Sequence, residues 1–140
     1  MYLVDTNALS EARRTGSLGE RSRRWMSSVA PGSLFISVVS DYELELGALT
    51  LERRDPRQAH ALRGWIDGIR LELGARILPV TPEIARICAG INVPDRRPWA
   101  DSLIAATALH HGLTVVTRNE KDFDVPGLAV INPFSGVTVA

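Results

Sequence analysis

Cysteine is all but missing from these 140 residues: Cys88 stands alone. One thiol makes no internal disulfide and cannot by itself hold a structural zinc. Histidine is scarce as well, at positions 60, 110 and 111, and lysine occurs once, as Lys121. No sign of charge dominates, because 16 basic residues face 16 acidic ones. A chain that held nucleic acid by bulk attraction would be basic. Any nucleic-acid partner must therefore be held by a local patch or a metal. Long apolar runs are absent too. None approaches the ~20 residues that cross a bilayer, and the opening run stops at Asp5, well short of a secretory signal. The expected setting is cytoplasmic and reducing, with no membrane partner.

What is present is ordinary for a globular protein: 45% hydrophobic and 23% charged residues, enough to bury a core and too apolar for a disordered chain. Fifteen of the sixteen basic residues are Arg, scattered along the chain. That suits phosphate recognition and equally a GC-rich coding sequence. Short apolar segments at 2–4, 34–38, 76–80, 113–117 and 128–131 read as strands. The stretches between them read as helices: 8–13, 18–29, 40–54, 56–73, 82–91 and 100–111. Gly74 and Gly112 sit where helices should stop. Strands apolar throughout are buried on both faces, as in a mostly parallel sheet covered by helices. The expectation is a single α/β domain over residues 1–140, with about five strands.

In such sheets ligands sit beyond the carboxyl ends of the strands. Asp5 follows the first strand. Arg118, Asn119 and Asp122 follow the fourth, and Asp101 opens the helix that leads into it. Spacing thus directs Asp5, Asp101 and Asp122 to one rim. Carboxylates gathered there repel unless a cation lies among them. Without clustered His or Cys, the donors suit a hard ion, Mg²⁺ or Mn²⁺. Taken singly, each residue has a plainer use: Asp5 as a helix cap, Asp101 as a complement to a helix dipole, Asp122 as a solvated loop acid. The helix over 40–54 carries Asp41, Glu43 and Glu45 beside a stripe of Val39, Tyr42, Leu46 and Leu49. At 100° per residue, Glu43 and Glu45 flank that stripe equally, so helical geometry does not choose between them.

Four segments and a short C-terminal motif then resemble the PIN-domain family, and within it the VapC-type ribonuclease toxins of the FitB-like branch. Met1-Tyr2-Leu3-Val4-Asp5-Thr6-Asn7 is similar to the opening strand and first acid. Ile36 to Gly47 resembles the segment of the conserved Glu, which falls on Glu43. Ala100 to Ala108 resembles the helix of the third acid, and Gly112 to Asn119, with Asp122-Phe123, the closing motif. Asn132-Pro133-Phe134 is similar to the family's C-terminal end. One departure stands out: some members have an acid where this chain has Asn119, and here the nearby carboxylate is Asp122.

The resemblance implies a Mg²⁺-dependent (or Mn²⁺-dependent) endoribonuclease that hydrolyses RNA phosphodiesters with metal-activated water. Asp5 and Asp101 would be the direct metal ligands. Glu43 would be a third acid, and Asp122, with Asn119, would complete the pocket. Thr6 and Thr117 would support it through their hydroxyls. Apart from the resemblance, a net charge of zero leaves affinity to the metal and to local arginines, for which Arg13, Arg14 and Arg118 are the candidates. The implied partners are a VapB-like antitoxin and a second copy of the chain. The helices from Ser40 to Leu73 carry apolar side chains that either close the core or pack on that second copy. Asn119 in place of an acid keeps open a catalytically weak scaffold acting as a binding module. Phosphotransfer chemistry on another doubly wound sheet would want Asp-x-Asp after the first strand, where the chain has Asp5-Thr6-Asn7.

Overall fold

The computed structural model describes residues 1–134. Its centre is β1 (Tyr2–Val4), paired with β2 (Leu34–Ser37) on one side and β4 (Thr114–Val116) on the other. β3 (Ile77–Leu78) joins β2 at one edge, and β5 (Val130–Ile131) joins β4 at the other. The order is β3-β2-β1-β4-β5, with every pairing parallel. This is the mostly parallel, five-stranded α/β sheet expected.

Alternation along the strands splits the core between the two sheet faces. Leu3 and Val115 pack with α6 (Trp99–His111), mainly through its Ile104, Ala105 and Ala108. Val4, Ile36 and Val116 face the other layer. There Ala8 and Leu9 of α1 (Thr6–Glu11), Leu44 and Ala48 of α3 (Val38–Glu52) and Ile66 of α4 (Pro56–Leu73) close over them. The remaining helices are α2 (Ser17–Ser28) and α5 (Pro82–Ile91). Gly112 ends α6 at φ 66°, a left-handed turn that a glycine makes without strain.

Two helix starts lie two residues ahead of those read in the sequence, for one reason. Asp5 and Ser37 are N-caps whose side chains accept hydrogen bonds from the backbone N–H of Asn7 and Val39. Each helix therefore begins immediately after its strand, two residues earlier than apolar periodicity suggested. The stripe on α3 also divides. Val39 is buried, whereas Tyr42, Leu46 and Leu49 are 51%, 49% and 49% exposed. Leu62, Trp65 and Ile69 of α4 pack against the second core. So α4 closes the core while the outer face of α3 does not.

Candidate active site

The strand order reverses direction at β1 and β4: the chain builds outward from β1 to β3, then crosses back to place β4 on β1's free side. That reversal opens a crevice beyond the carboxyl ends of the two strands. Asp5 stands in it, 3% exposed, because the residue after β1 must turn into α1. Its N–H donates to Val116 O at 3.0 Å, which ties the turn to the neighbouring strand. Its Oδ1 accepts from Asn7 N at 3.1 Å, and its Oδ2 accepts from the Thr117 hydroxyl at 2.6 Å. Both carboxylate oxygens are thus oriented before any ligand arrives.

Glu43 enters from the second turn of α3. Thr6 donates its hydroxyl to Glu43 Oε1 at 2.6 Å, and Thr6 Oγ1 lies 2.8 Å from Ser40 Oγ. The other two acids of α3 are engaged elsewhere. Arg70 binds Asp41 at 2.6 Å and Glu45 at 2.9 Å, and Arg63 also binds Glu45. These arginines belong to α4 and lower the Glu45 pKa, first through the hydrogen bond from Arg63 and then through that from Arg70. The two acids that helical geometry left level thus differ in their partners: Glu45 is bound by two arginines of α4, whereas Glu43 accepts from Thr6.

Asp101 lies in the first turn of α6, half-buried. Its pKa is pushed up to about 6, first by burial and then by the charges of Asp5, Asp122 and Glu43. Asp5 is raised as well. Burial is the main cause, opposed by the hydrogen bonds from Thr117 and Asn7 and reinforced by the charges of Glu43 and Asp122. The four carboxylates of the sequence reading therefore act on one another electrostatically. Asp122 is the most exposed of them. It sits on a 3₁₀ turn (Glu120–Phe123) pinned by buried Phe123, and its N–H donates to Asn119 O at 3.0 Å. Asn119 contributes through its backbone, its N–H donating to Thr117 Oγ1 at 3.0 Å.

The PIN-domain profile matches residues 2–127. The chain belongs to the PIN-domain family. This PIN domain is 34% identical to Toxin FitB of Neisseria gonorrhoeae over 96% of its length and 99% of that protein's. It is 29% identical to VapC ribonuclease Y4jK of Sinorhizobium fredii, over 96% and 98%. Among solved structures it superposes on FitAcB from Neisseria gonorrhoeae with a TM-score of 0.87 at 33% identity, covering 96% of this chain and 99% of that one.

The donor set of the PIN domain is all oxygen and all anionic, which suits a hard divalent cation. Among the described residues, no three Asp, Glu, His or Cys side chains converge closely enough to hold an ion by themselves. Mg²⁺ seldom asks for such a cage; it keeps several waters and takes one or two carboxylates plus substrate phosphate. The residues present fit that mode. Two side chains escaped the sequence reading. Ser40 joins the Thr6–Glu43 hydrogen-bond group, and its only trace in sequence is its place one turn ahead of Glu43. Glu11 is buried beside Arg118, and nothing in a six-residue helix announces it.

Proposed function

We propose that this PIN domain is a Mg²⁺-dependent endoribonuclease, the toxin of a type II toxin–antitoxin pair. The observation that carries the reading is the set of carboxylates at the strand switch. Asp5 and Asp101 are raised by burial and by their acidic neighbours, while the arginines nearest α3 are engaged with Asp41 and Glu45. A site built to accumulate negative charge is a site for a cation. Relatives carrying the names toxin and ribonuclease support the assignment.

In this reading Asp5 and Asp101 hold the ion. When bound, it neutralises phosphodiester charge and lowers the pKa of a coordinated water. The protein's own contribution is orientation. Thr117 fixes the Asp5 carboxylate by its 2.6 Å hydrogen bond. Thr6 aims Glu43 toward the crevice, where it accepts a proton from, or positions, the attacking water. Asp122 adds charge from its 3₁₀ turn, and Asn119 holds that turn against Thr117. Purified protein should cleave single-stranded RNA with Mg²⁺ and not with EDTA, and Asp5→Ala should be inactive. Equal cleavage by Asp5→Ala would reject the reading. RNA bound without cleavage at any Mg²⁺ concentration would favour the scaffold role.

The partners follow from the same reading. A solved relative is FitAB bound to a DNA fragment, and we infer a VapB-like antitoxin for this chain. We also infer a homodimer. Tyr42, Leu46 and Leu49 stay about half-exposed on α3, and Trp99 of α6, 58% exposed, meets Tyr42 edge-to-face at 5.9 Å. A contiguous apolar surface of this kind marks an interface.

A further inference from the structure

Glu11 takes no part in the acidic site, yet it is 4% exposed at the end of α1. Burying a carboxylate is costly unless cations and donors compensate it. Arg118 Nη1 lies 3.1 Å from its Oε1, and Arg14 Nη1 lies 3.7 Å from the same oxygen. Its Oε2 is buried with no hydrogen-bond partner among the described residues. Arginine–carboxylate pairs are frequently bidentate, one guanidinium fork meeting both oxygens. Here two guanidiniums share one oxygen. The group carries a net positive charge, and each guanidinium has more N–H donors than this one contact uses. The Arg118 side chain is 37% exposed and that of Arg14 is 70% exposed.

The backbone under these arginines is held firmly for a surface turn. Arg14 N donates to Glu11 O, and Arg23 donates to both Ala12 O and Arg14 O. Gly19 is packed so tightly that a Cβ there would fall 1.9 Å from Arg14 O. Arg118 lies between Thr117, which bonds Asp5, and Asn119, which bonds Thr117. At 1.5 Å per residue, α1 carries Glu11 only about 9 Å along the helix from Asp5. A positive cluster thus borders the negative site. Beyond it lies a surface depression lined by Ser10, Arg13, Arg14, Gln58, Leu62 and Trp65, where the Arg13 guanidinium rests over the Trp65 ring.

We propose that Arg118 and Arg14, oriented by the buried Glu11 carboxylate, form a phosphate subsite that grips the RNA backbone beside the scissile bond. Glu11 is a positioning residue and the two arginines are the contacts. The inference rests on the nuclease reading above. Fixed guanidinium forks match phosphate oxygens in a way a mobile lysine does not, and they let an electrically neutral protein hold an anionic strand locally.

The test uses the Asp101→Asn protein, which should bind RNA without cutting it, and a labelled single-stranded RNA followed by fluorescence anisotropy across a salt series. Arg118→Ala and Arg14→Ala should each weaken binding about 5- to 10-fold and make the salt dependence shallower by about one phosphate contact. Glu11→Gln is the discriminating variant, because it raises the net charge by one. Bulk attraction would then tighten binding, whereas a subsite that has lost its organiser binds about 3- to 10-fold more weakly. Unchanged binding in both alanine variants, or tighter binding by Glu11→Gln, overturns the proposal. Should Glu11→Gln fail to fold, Arg118→Lys serves instead: it keeps the charge and loses the fork, so several-fold weaker binding is expected and equal binding overturns the subsite. The otherwise unsubstituted protein, run on the same RNA with Mg²⁺, separates the two levels. If it cleaves while the arginine variants behave as their parent, the subsite alone falls. If it neither binds nor cleaves, both readings fall.

Discussion

Asp101 is the residue whose charge state matters most to the metal-free protein. Its pKa rises from 3.8 to about 6 on folding, so the folded state favours the protonated form. Its stabilising contribution is complete below about pH 4 and is lost as the pH climbs through 6. Asp5 shifts in the same direction. In EDTA the melting temperature should therefore fall between pH 4 and 7, and Asp101→Asn should flatten that fall while abolishing cleavage. Thermal melts of both proteins across this range decide it, and an identical slope would remove Asp101 from the repelling cluster. Glu43 and Glu45 provide the second contrast at this scale. Glu43→Gln should lower turnover about 10- to 100-fold, as substitutions next to a metal site do. Glu45→Gln should leave turnover near normal and lower the melting temperature slightly, by freeing Arg63 and Arg70. Their different partners could not be read in sequence because the arginines that bind Glu45 sit on α4, 18 and 25 residues beyond it. That Asp5, Asp101 and Asp122 lie close enough for their charges to interact was legible, because strand ends and a helix start are local features. Glu11 was not, because its burial depends on Arg118, more than a hundred positions away.

At the scale of elements, the sheet was readable wherever strands are apolar on both faces, and each helix was found. Boundaries slipped where a polar cap carries the instruction: Ser37 ends β2 and starts α3 with a single side chain. The edge strands β3 and β5 are two residues each. The five- and four-residue apolar segments around them are longer because packing needs apolar side chains beyond the last ladder bond. The residue just after β4 supplies the hydroxyl that orients Asp5, so Thr117→Val, nearly isosteric but without a donor, should cost about 10- to 100-fold in activity or metal affinity. A paired Mg²⁺ titration and melting curve would show whether the loss lies in the site or in the fold; full activity would mean Asp5 needs no orienting partner. The outer stripe of α3 was visible as a stripe, but its use was not, since periodicity shows that a face is apolar and not what covers it.

For the whole molecule, the proposed homodimer would take that uncovered stripe as its interface. Leu46 is 49% exposed, so Leu46→Glu should leave the monomer's melting temperature almost unchanged while shifting the light-scattering mass from dimer to monomer at micromolar concentration. An unaltered dimer would place the interface elsewhere. Charge balance matters at this scale too, because with 16 residues of each sign the RNA affinity proposed for this chain would have to be concentrated in a few places rather than spread over the surface. The position of β1 has a further consequence, for synthesis. The first strand made, with its partner register of Tyr2 on Thr114, must wait for more than a hundred residues before its second neighbour exists, and Asp5 waits equally long for Thr117. A ribosome emits the chain from the N-terminus at about 5–20 residues per second. During most of that time the emerging polypeptide lacks half of its crevice, and a product cut short before Leu113 can never complete it. An enzyme directed at RNA would be made beside the messenger that encodes it, and a topology that joins the first strand to the fourth withholds its chemistry until translation is nearly finished.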